Sequence, residues 1–459
     1  MADDLDVKIG LEIHVPLKTS RKLFCDCPTN YYEVDQPNIN TCPVCTGMPG
    51  SKPYPLNELA VESAVLISRL LECKIVEENI YLKRKHYDYP DLPSGYQRTS
   101  EPLGVDGVLE DVGVWEAHIE EDPGRYDPKT GRVDYNRSGV PLIEIVTAPE
   151  MTSPEQVRAF MRILLGLLRY SGRIVDVGGV LRADVNISIK GGAKVEIKNV
   201  NSVHGAFKAL KYEIIRQKNM MRRGAQVTQE TRGFDESNQI TVSQRVKETA
   251  ADYRYIPDPD IPPQRFMREY VDNLPLPETP STRRKRLVEE YGVRLDFAKT
   301  IVSDKDLVDL FEQVSDDLDP NYVAAWFVRE VLSQLNYRSV DVRQTKLDAD
   351  ILKNLLALIS ENKITEETGR KLLERVIDSG EDPKGIVESE GLSQISDEKL
   401  LAETVSQVLE ENPKAVSDYR SGEKKAYNFL AGQVMRKMAG RADIKIVSKT
   451  LSKKLGDGP

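Results

Sequence analysis

The sequence predicts an α+β protein, in which an N-terminal domain built on an antiparallel β-sheet with helices precedes a helical domain and a small helical tail. Apolar and polar residues alternate in several segments of residues 1–285, which is the period of half-buried strands. Amphipathic helical patterns separate these segments and continue, with few strand patterns, through residues 286–395 and 396–459. These three ranges are the predicted domains.

The composition is that of a folded protein whose 459 residues can bury a large core. Hydrophobic residues make up 40% of the chain, charged residues make up 30%, and the formal net charge is −9. This charge argues against a protein that coats nucleic acid over its whole surface, but it is compatible with a local basic patch. The sequence contains no apolar run of membrane-spanning length, and its first residues are acidic, so we predict a cytoplasmic protein without a membrane partner.

The first predicted strand presents Glu12 and His14 on one face and apolar side chains on the other. A solvent-facing pair on an edge strand would show the same pattern, so this pair alone does not indicate a functional site. It indicates one only together with residues 114–146, where Glu120 and Glu144 lie within two otherwise apolar predicted strands. A buried carboxylate needs a metal ion, a basic partner or an edge open to water.

A predicted hairpin, residues 181–198, adds Asp184 and Glu196 to the polar faces, beside Arg182 and Lys198. Outward-facing polar residues of an antiparallel sheet would explain any one of these strands. The acids recur, however, on several strands of one predicted domain. If these strands are neighbours, the carboxylates converge and require a cation, and oxygen ligands favour Mg²⁺ or Mn²⁺ over zinc. The converging candidates are Glu12, His14, Glu120, Glu144, Asp184 and Glu196.

The segment from Lys83 to Gln97 is dense in cations, tyrosines and prolines, which predicts an ordered loop rather than a helix or a central strand. Its cations either meet phosphate or carboxylate groups or belong to a solvated basic loop. A magnesium site bordered by Lys85, Arg182 and Lys198 would suit phosphoryl transfer from ATP, which depends mostly on charge neutralisation and alignment. The sequence has neither a P-loop nor a kinase-type glycine-rich loop, so an ATP site here would be of an uncommon kind.

Four of the five cysteines, Cys25, Cys27, Cys42 and Cys45, are close together near the N-terminus. Zinc takes four thiolates in a tetrahedron, and a Cys-Pro-Val-Cys turn holds two sulfurs on one side of such an ion. The tight Cys-Asp-Cys pair is a less usual partner. We predict a structural zinc site in the insertion 25–45, and four free buried cysteines are the alternative.

The C-terminal segment, residues 420–455, is basic, although the net charge of the whole chain is negative. Basic charge on a small helical module predicts a nucleic-acid contact, and an ordinary solvated face explains it about equally well. Only Glu423 and Asp443 oppose the cations of this segment. Its basic residues are Arg420, Lys424, Lys425, Arg436, Lys437, Arg441, Lys445, Lys449, Lys453 and Lys454.

Several motifs stand in one order along the chain. They are GLEIHV at residues 10–15, CPVCTGMPG at 42–50, YPDLPSGYQ at 89–97, HIEED at 118–122, DYRY at 252–255 and FLAGQVM at 429–435. Together they resemble the GatB/GatE family, the B subunits of tRNA-dependent glutamyl/aspartyl amidotransferases, over nearly the whole chain. The four cysteines resemble the zinc-bearing branch of that family.

The resemblance implies a ligase that forms a carbon–nitrogen bond with glutamine as the amide donor. Such an enzyme uses ATP to phosphorylate the side-chain carboxylate of Glu on tRNA(Gln), or of Asp on tRNA(Asn), and ammonia then displaces the phosphate. Ammonia would come through a tunnel from a partner A subunit that hydrolyses glutamine, and a small C subunit would complete a heterotrimer. The implied fold is a cradle domain, a helical domain and a YqeY-like tail that contacts the tRNA.

The resemblance also implies roles for individual residues. His14, Glu120 and Glu144 would hold Mg²⁺ directly or through water, and Glu12 would border it. Asp184 would either contact the ligands of that ion or bind a second metal ion. Lys85 would stand at the tunnel mouth and either guide ammonia or steady the acyl phosphate. The alternative from another functional class is a non-catalytic tRNA-binding scaffold whose acidic strands hold a structural ion.

Overall fold

The fold is described from a computed structural model. Gly191 at the tip of the predicted hairpin, Asp252 of the DYRY motif and the predicted domain boundary at residues 395 and 396 lie outside the described residues. The chain divides into two compact units, Met1–Thr279 and Pro280–Pro459. The described residues are 6–177, 181–189, 192–246, 253–393, 398–438 and 441–456.

Strands dominate the first unit. In the described residues they form one 12-stranded sheet in the order β13-β12-β11-β10-β1-β9-β6-β4-β3-β14, with β5 pairing β2 and β6, and a separate β7-β8 pair. The strands are β1 (Val7–Pro16), β2 (Lys74–Ile75), β3 (Leu82–His86), β4 (Tyr96–Ser100), β5 (Gly104–Leu109), β6 (Val112–Glu121), β7 (Arg125–Asp127), β8 (Arg132–Asp134), β9 (Pro141–Thr147), β10 (Arg182–Ile189), β11 (Val195–Val200), β12 (Glu230–Asp235), β13 (Ile240–Val246) and β14 (Ile256–Pro257).

The predicted antiparallel sheet with helices is confirmed, with one difference. Strands β11 and β12 run parallel because a helix connects them, whereas the other described strand pairs are antiparallel. The N-terminal strand is also not an edge strand, because β1 lies between β9 and β10 in the middle of the sheet. Its polar residues therefore have neighbours on both sides.

The helices of the first unit cover the apolar face of the sheet. They are α1 (Glu58–Leu70), α2 (Pro154–Ser171), α3 (Val203–Arg222) and α4 (Arg268–Asn273). Asn57 caps α1 by accepting from the backbone N–H groups of Leu59 and Ala60, and Ser153 caps α2 by accepting from the backbone N–H of Gln156. Their apolar residues and the odd-numbered residues of β1 belong to one buried cluster. The opposite face of the sheet is polar, and the predicted site residues of its strands lie on it.

The prediction of a loop from Lys83 to Gln97 was wrong at both ends. Strands β3 and β4 extend into this segment, and Lys85 and Gln97 are cross-strand partners. The cations are tolerated in β3 because only the two-residue strand β14 lies beyond it. The irregular part is confined to residues 87–95.

The described part of the second unit is helical, as predicted. Within it, one separate apolar cluster lies in residues 401–455 and includes Leu401, Val405, Leu430, Val434 and Leu451. The helices are α5 (Pro280–Glu289), α6 (Leu295–Ile301), α7 (Lys305–Ser315), α8 (Pro320–Trp326), a π-helical stretch (Phe327–Val331), α9 (Leu332–Arg338), α10 (Ala349–Ser360), α11 (Glu366–Ser379), α12 (Pro383–Glu390), α13 (Glu398–Glu411), α14 (Pro413–Arg420), α15 (Lys424–Lys437) and α16 (Ile444–Leu455). Among the described helices of the whole chain, none combines the length and apolar character needed to cross a membrane.

Candidate metal and catalytic site

Three predicted ligands meet on the polar face where β1, β9 and β6 are neighbours. The Nε2 atom of His14 lies 3.6 Å from an oxygen of Glu120 and 3.5 Å from an oxygen of Glu144. The register explains this, because Glu144 is the cross-strand partner of His14 on one side and of His118 on the other, and Glu120 follows His118 by two residues on the same strand face. One ligand atom from each of the three residues lies within 4.8 Å of the others. This spacing suits three ligands of one octahedral ion, whose adjacent ligands are roughly 3 Å apart.

The three residues His14, Glu120 and Glu144, called the triad below, have pKa values that are shifted in different directions. Burial first, and then the neighbouring Glu120, raise the pKa of Glu144 well above its usual range. Burial would also raise the pKa of Glu120, but Lys85 and His14 outweigh it and lower that pKa. Burial lowers the pKa of His14, which favours a neutral ring with a lone pair. A neutral imidazole beside two crowded carboxylates is a donor set that a divalent cation fits.

The remaining predicted acids form a second group beside the first. One oxygen from each of Glu12, Asp184 and Glu196 lies within 4.8 Å of the others. Each of the three carboxylates accepts a hydrogen bond from a neighbouring strand. The donors are Asn186 Nδ2 to Glu12 at 2.9 Å, Lys198 Nζ to Asp184 at 2.7 Å and the Thr231 hydroxyl to Glu196 at 2.8 Å. The predicted convergence is therefore present, but as two adjoining groups of three residues.

The three predicted cations differ in what they contact. The Arg182 guanidinium pairs with Asp122 at 2.7 Å and Lys198 pairs with Asp184 at 2.7 Å. Lys85 faces the triad: the Coulombic attraction of Glu120 and Glu144 outweighs its burial and raises its pKa. Its Nζ also lies 5.1 Å from the ring centre of Tyr253. Binding of a nucleotide by Arg182 and Lys198 stays a prediction.

Sequence reasoning missed two groups around the triad. Gln97 donates a hydrogen bond from Nε2 to Glu120 at 3.1 Å. Tyr253 packs against Tyr87 and Tyr255, at ring-centre distances of 6.1 Å in both cases. Tyr253 and Tyr255 lie just before β14 and outside any strand, so strand periodicity could not have found them, and their only signal in the sequence is the DYRY motif.

The four predicted zinc ligands are also brought together. Cys25, Cys27, Cys42 and Cys45 offer sulfurs that all lie within 4.8 Å of one another. The sulfur of Cys45 is 3.9 Å from that of Cys42 and 4.0 Å from that of Cys27, and none of these cysteines is in a disulfide. Four sulfurs at about 2.3 Å from a tetrahedral ion would be about 3.8 Å apart. The cluster therefore fits zinc.

Most cations of the C-terminal segment point to solvent. Lys445, Lys449 and Lys453 are exposed and repeat every four residues along α16, so they share one stripe. Others are used within the fold: Lys437 pairs with Glu411 at 2.6 Å, and Arg441 donates to the Gly391 carbonyl at 2.7 Å. The side chain of Lys424 lies outside the described part of the chain.

Comparison with known families identifies the class of protein to which this fold and site belong. Residues 7–272 match the family model described as the GatB/GatE catalytic domain, and residues 309–455 match the model described as the GatB domain. The chain belongs to this family.

Three curated relatives are similar to almost the whole chain, and each is named as the B subunit of an aspartyl/glutamyl-tRNA(Asn/Gln) amidotransferase. The relative from Methanopyrus kandleri is 50% identical over 457 residues, covering 98% of this chain and 99% of the relative. The one from Methanothermobacter thermautotrophicus is 51% identical over 439 residues, 95% and 97% of the two chains. The one from Methanocaldococcus jannaschii is 50% identical over 467 residues, 99% and 98% of the two chains.

Proposed function

We propose that this chain is the ATP-using B subunit of a tRNA-dependent amidotransferase. It activates the side-chain carboxylate of Glu-tRNA(Gln), of Asp-tRNA(Asn) or of both, and converts it to the amide for use in translation. The observation that carries the proposal is the group of His14, Glu120 and Glu144 facing Lys85 on the polar face of the sheet. The family membership and the names of the relatives support the same reaction.

The reaction has two steps. Transfer of the terminal phosphoryl group of ATP to the carboxylate gives an acyl phosphate and ADP, and ammonia then forms the C–N bond and releases phosphate. A magnesium ion bound by His14, Glu120 and Glu144 would neutralise charge on the transferred group. Lys85, opposite these carboxylates, either guides the ammonia or steadies the acyl phosphate. Glu12 borders the magnesium site, and Asp184 belongs to the adjoining acidic group.

The other parts of the proposal concern zinc and partners. We propose that the four-cysteine cluster holds a structural zinc ion and that the chain belongs to the zinc-bearing branch of the family. The ammonia is supplied by a partner A subunit that hydrolyses glutamine, and a C subunit completes the heterotrimer. The basic stripe of α16 contacts the tRNA. We assign the complex to the cytoplasm.

The substitution Glu120→Gln tests the magnesium assignment in the reconstituted heterotrimer. We expect a loss of tens-fold or more in ATP-dependent and glutamine-dependent amidation, because the variant removes a charged ligand from the site. Binding of mischarged tRNA should be unchanged. Glu236→Gln, at an exposed turn of the same unit, serves as the control. Normal amidation by the Glu120 variant would refute the magnesium assignment.

A further inference from the structure

Lys22 is a lysine buried completely within the first unit. Its side chain is fully inaccessible to solvent, and it forms no ion pair with a carboxylate among the described residues. Its Nζ donates to the carbonyl oxygens of Asn40 at 2.7 Å and of Tyr135 at 3.3 Å. The third neighbour is the sulfur of Cys45, at 3.5 Å. A buried ammonium needs a nearby anion, and the only candidate among these three contacts is a cysteine thiolate.

A nearby cation stabilises a four-thiolate zinc centre. Four thiolates and one Zn²⁺ carry a net charge of about −2, which is unfavourable in a buried place. Lys22 supplies one positive charge in contact with one of the sulfurs. Outer contacts of this kind change metal affinity by about 10-fold to 100-fold.

The contacts of Lys22 also join the cluster to the chain that leads into β9. Its Nζ donates to Tyr135, while the neighbouring Leu23 N–H donates to the Gly139 carbonyl at 2.8 Å. The Ser138 hydroxyl in turn donates to the Cys45 carbonyl at 2.9 Å. Residues 135–140 thus form a connector, held by the cluster on one side and continuing into the strand that carries Glu144 on the other.

We propose that Lys22 is a positioning residue of the four-cysteine centre, where its buried ammonium offsets the charge of the thiolates around zinc and fixes the centre to the connector. This inference rests on the zinc ion proposed above. It implies that the zinc centre also holds the connector, which precedes β9, in place. Zinc itself takes no part in the amidation.

The test compares Lys22→Met with the wild type in the full-length chain. Zinc content is measured by elemental analysis, and zinc release is followed by transfer to a coloured chelator. We expect one zinc per wild-type chain and a 10-fold to 100-fold faster release from the variant. Lys18→Met, an exposed lysine of the same region, should release zinc at the wild-type rate.

A second measurement uses only the wild type and so does not depend on the folding of the variant. Hydrogen exchange of the connector amides is compared before and after zinc is removed with the chelator. We expect faster exchange in the connector after removal, and unchanged exchange would overturn the link. A wild-type chain without zinc would refute the zinc site itself, whereas a zinc-containing variant that releases the ion at the wild-type rate would refute only the role of Lys22.

Discussion

The Nε2 atom of His14 lies 3.5 Å from a carboxylate oxygen of Glu144 on the adjacent strand. The two residues are direct cross-strand partners, so their side chains point to the same face of the sheet. Burial lowers the pKa of His14 and raises the pKa of Glu144, so both groups favour their neutral forms. A divalent cation reverses this preference for the carboxylate, because it replaces the proton.

Removal of the imidazole in His14→Ala should lower the affinity for Mg²⁺ or Mn²⁺ by tens-fold, since one of three protein ligands is lost. Titration calorimetry or the electron paramagnetic resonance of Mn²⁺ measures the change. His204→Ala, at an exposed position of α3, should bind the ion as the wild type does. Because the raised pKa of Glu144 makes protons compete with the ion, wild-type affinity should fall as the pH is lowered. Equal metal affinity of the two variants would contradict the assignment.

Asp258 is expected to stabilise the edge of the sheet through two arginines. Its fully buried carboxylate accepts from Arg84 at 2.9 Å and from Arg98 at 2.8 Å. Asp258→Asn removes the anion that the two guanidiniums share, while Arg98 keeps its pair with Glu121 at 2.8 Å, so the free energy of unfolding should fall by about 3 kcal/mol, the low end for a broken buried pair. Urea denaturation followed by circular dichroism measures the loss. Asp260→Asn is the matched control, because Asp260 is 26% exposed and its ion pairs, with Arg84 at 3.4 Å and with the exposed Lys52, should each contribute less than about 1 kcal/mol.

The same aspartate gives a pH dependence with a definite sign. Burial alone would raise the pKa of Asp258, but hydrogen bonds from Arg84, from the backbone of Asp260 and from Arg98 outweigh it and lower that pKa. Its contribution is therefore complete above the unfolded pKa of about 3.9 and is lost as the pH falls through the lower folded value. The stability difference between the wild type and Asp258→Asn should shrink in that acidic range. A difference that grows on acidification would show that the carboxylate is not stabilised by its arginines.

The basic stripe of α16 should contribute to tRNA affinity. Changing Lys445, Lys449 and Lys453 together to Gln removes three exposed charges from one helix face, so affinity for tRNA should fall and its dependence on log salt should become shallower by about two. Filter binding over a salt series measures both, and ATP hydrolysis should change little. Neutralising three exposed lysines elsewhere in the same unit provides the control, namely Lys285, Lys299 and Lys371. If both triple variants bind tRNA equally, the stripe is only a solvated face.

Local patterns in the sequence predicted much of the site. The alternation in residues 7–17 placed Glu12 and His14 on one strand face, and β1 has that arrangement. The spacing of the cysteines predicted a four-sulfur cluster that the structure contains. These predictions succeed because side-chain direction in a strand and ligand spacing in a short turn depend on neighbours in sequence.

The sequence by itself determined which strand faces are polar and that a helical region follows the sheet. Only the tertiary structure decided that His14 joins Glu120 and Glu144, while Glu12 joins Asp184 and Glu196. It also decided that Lys85 lies in a strand facing the triad, whereas Arg182 pairs with Asp122. The physical reason is strand register: a shift of one residue turns every side chain to the other face, and pairing between strands more than a hundred residues apart depends on the packing of the whole sheet.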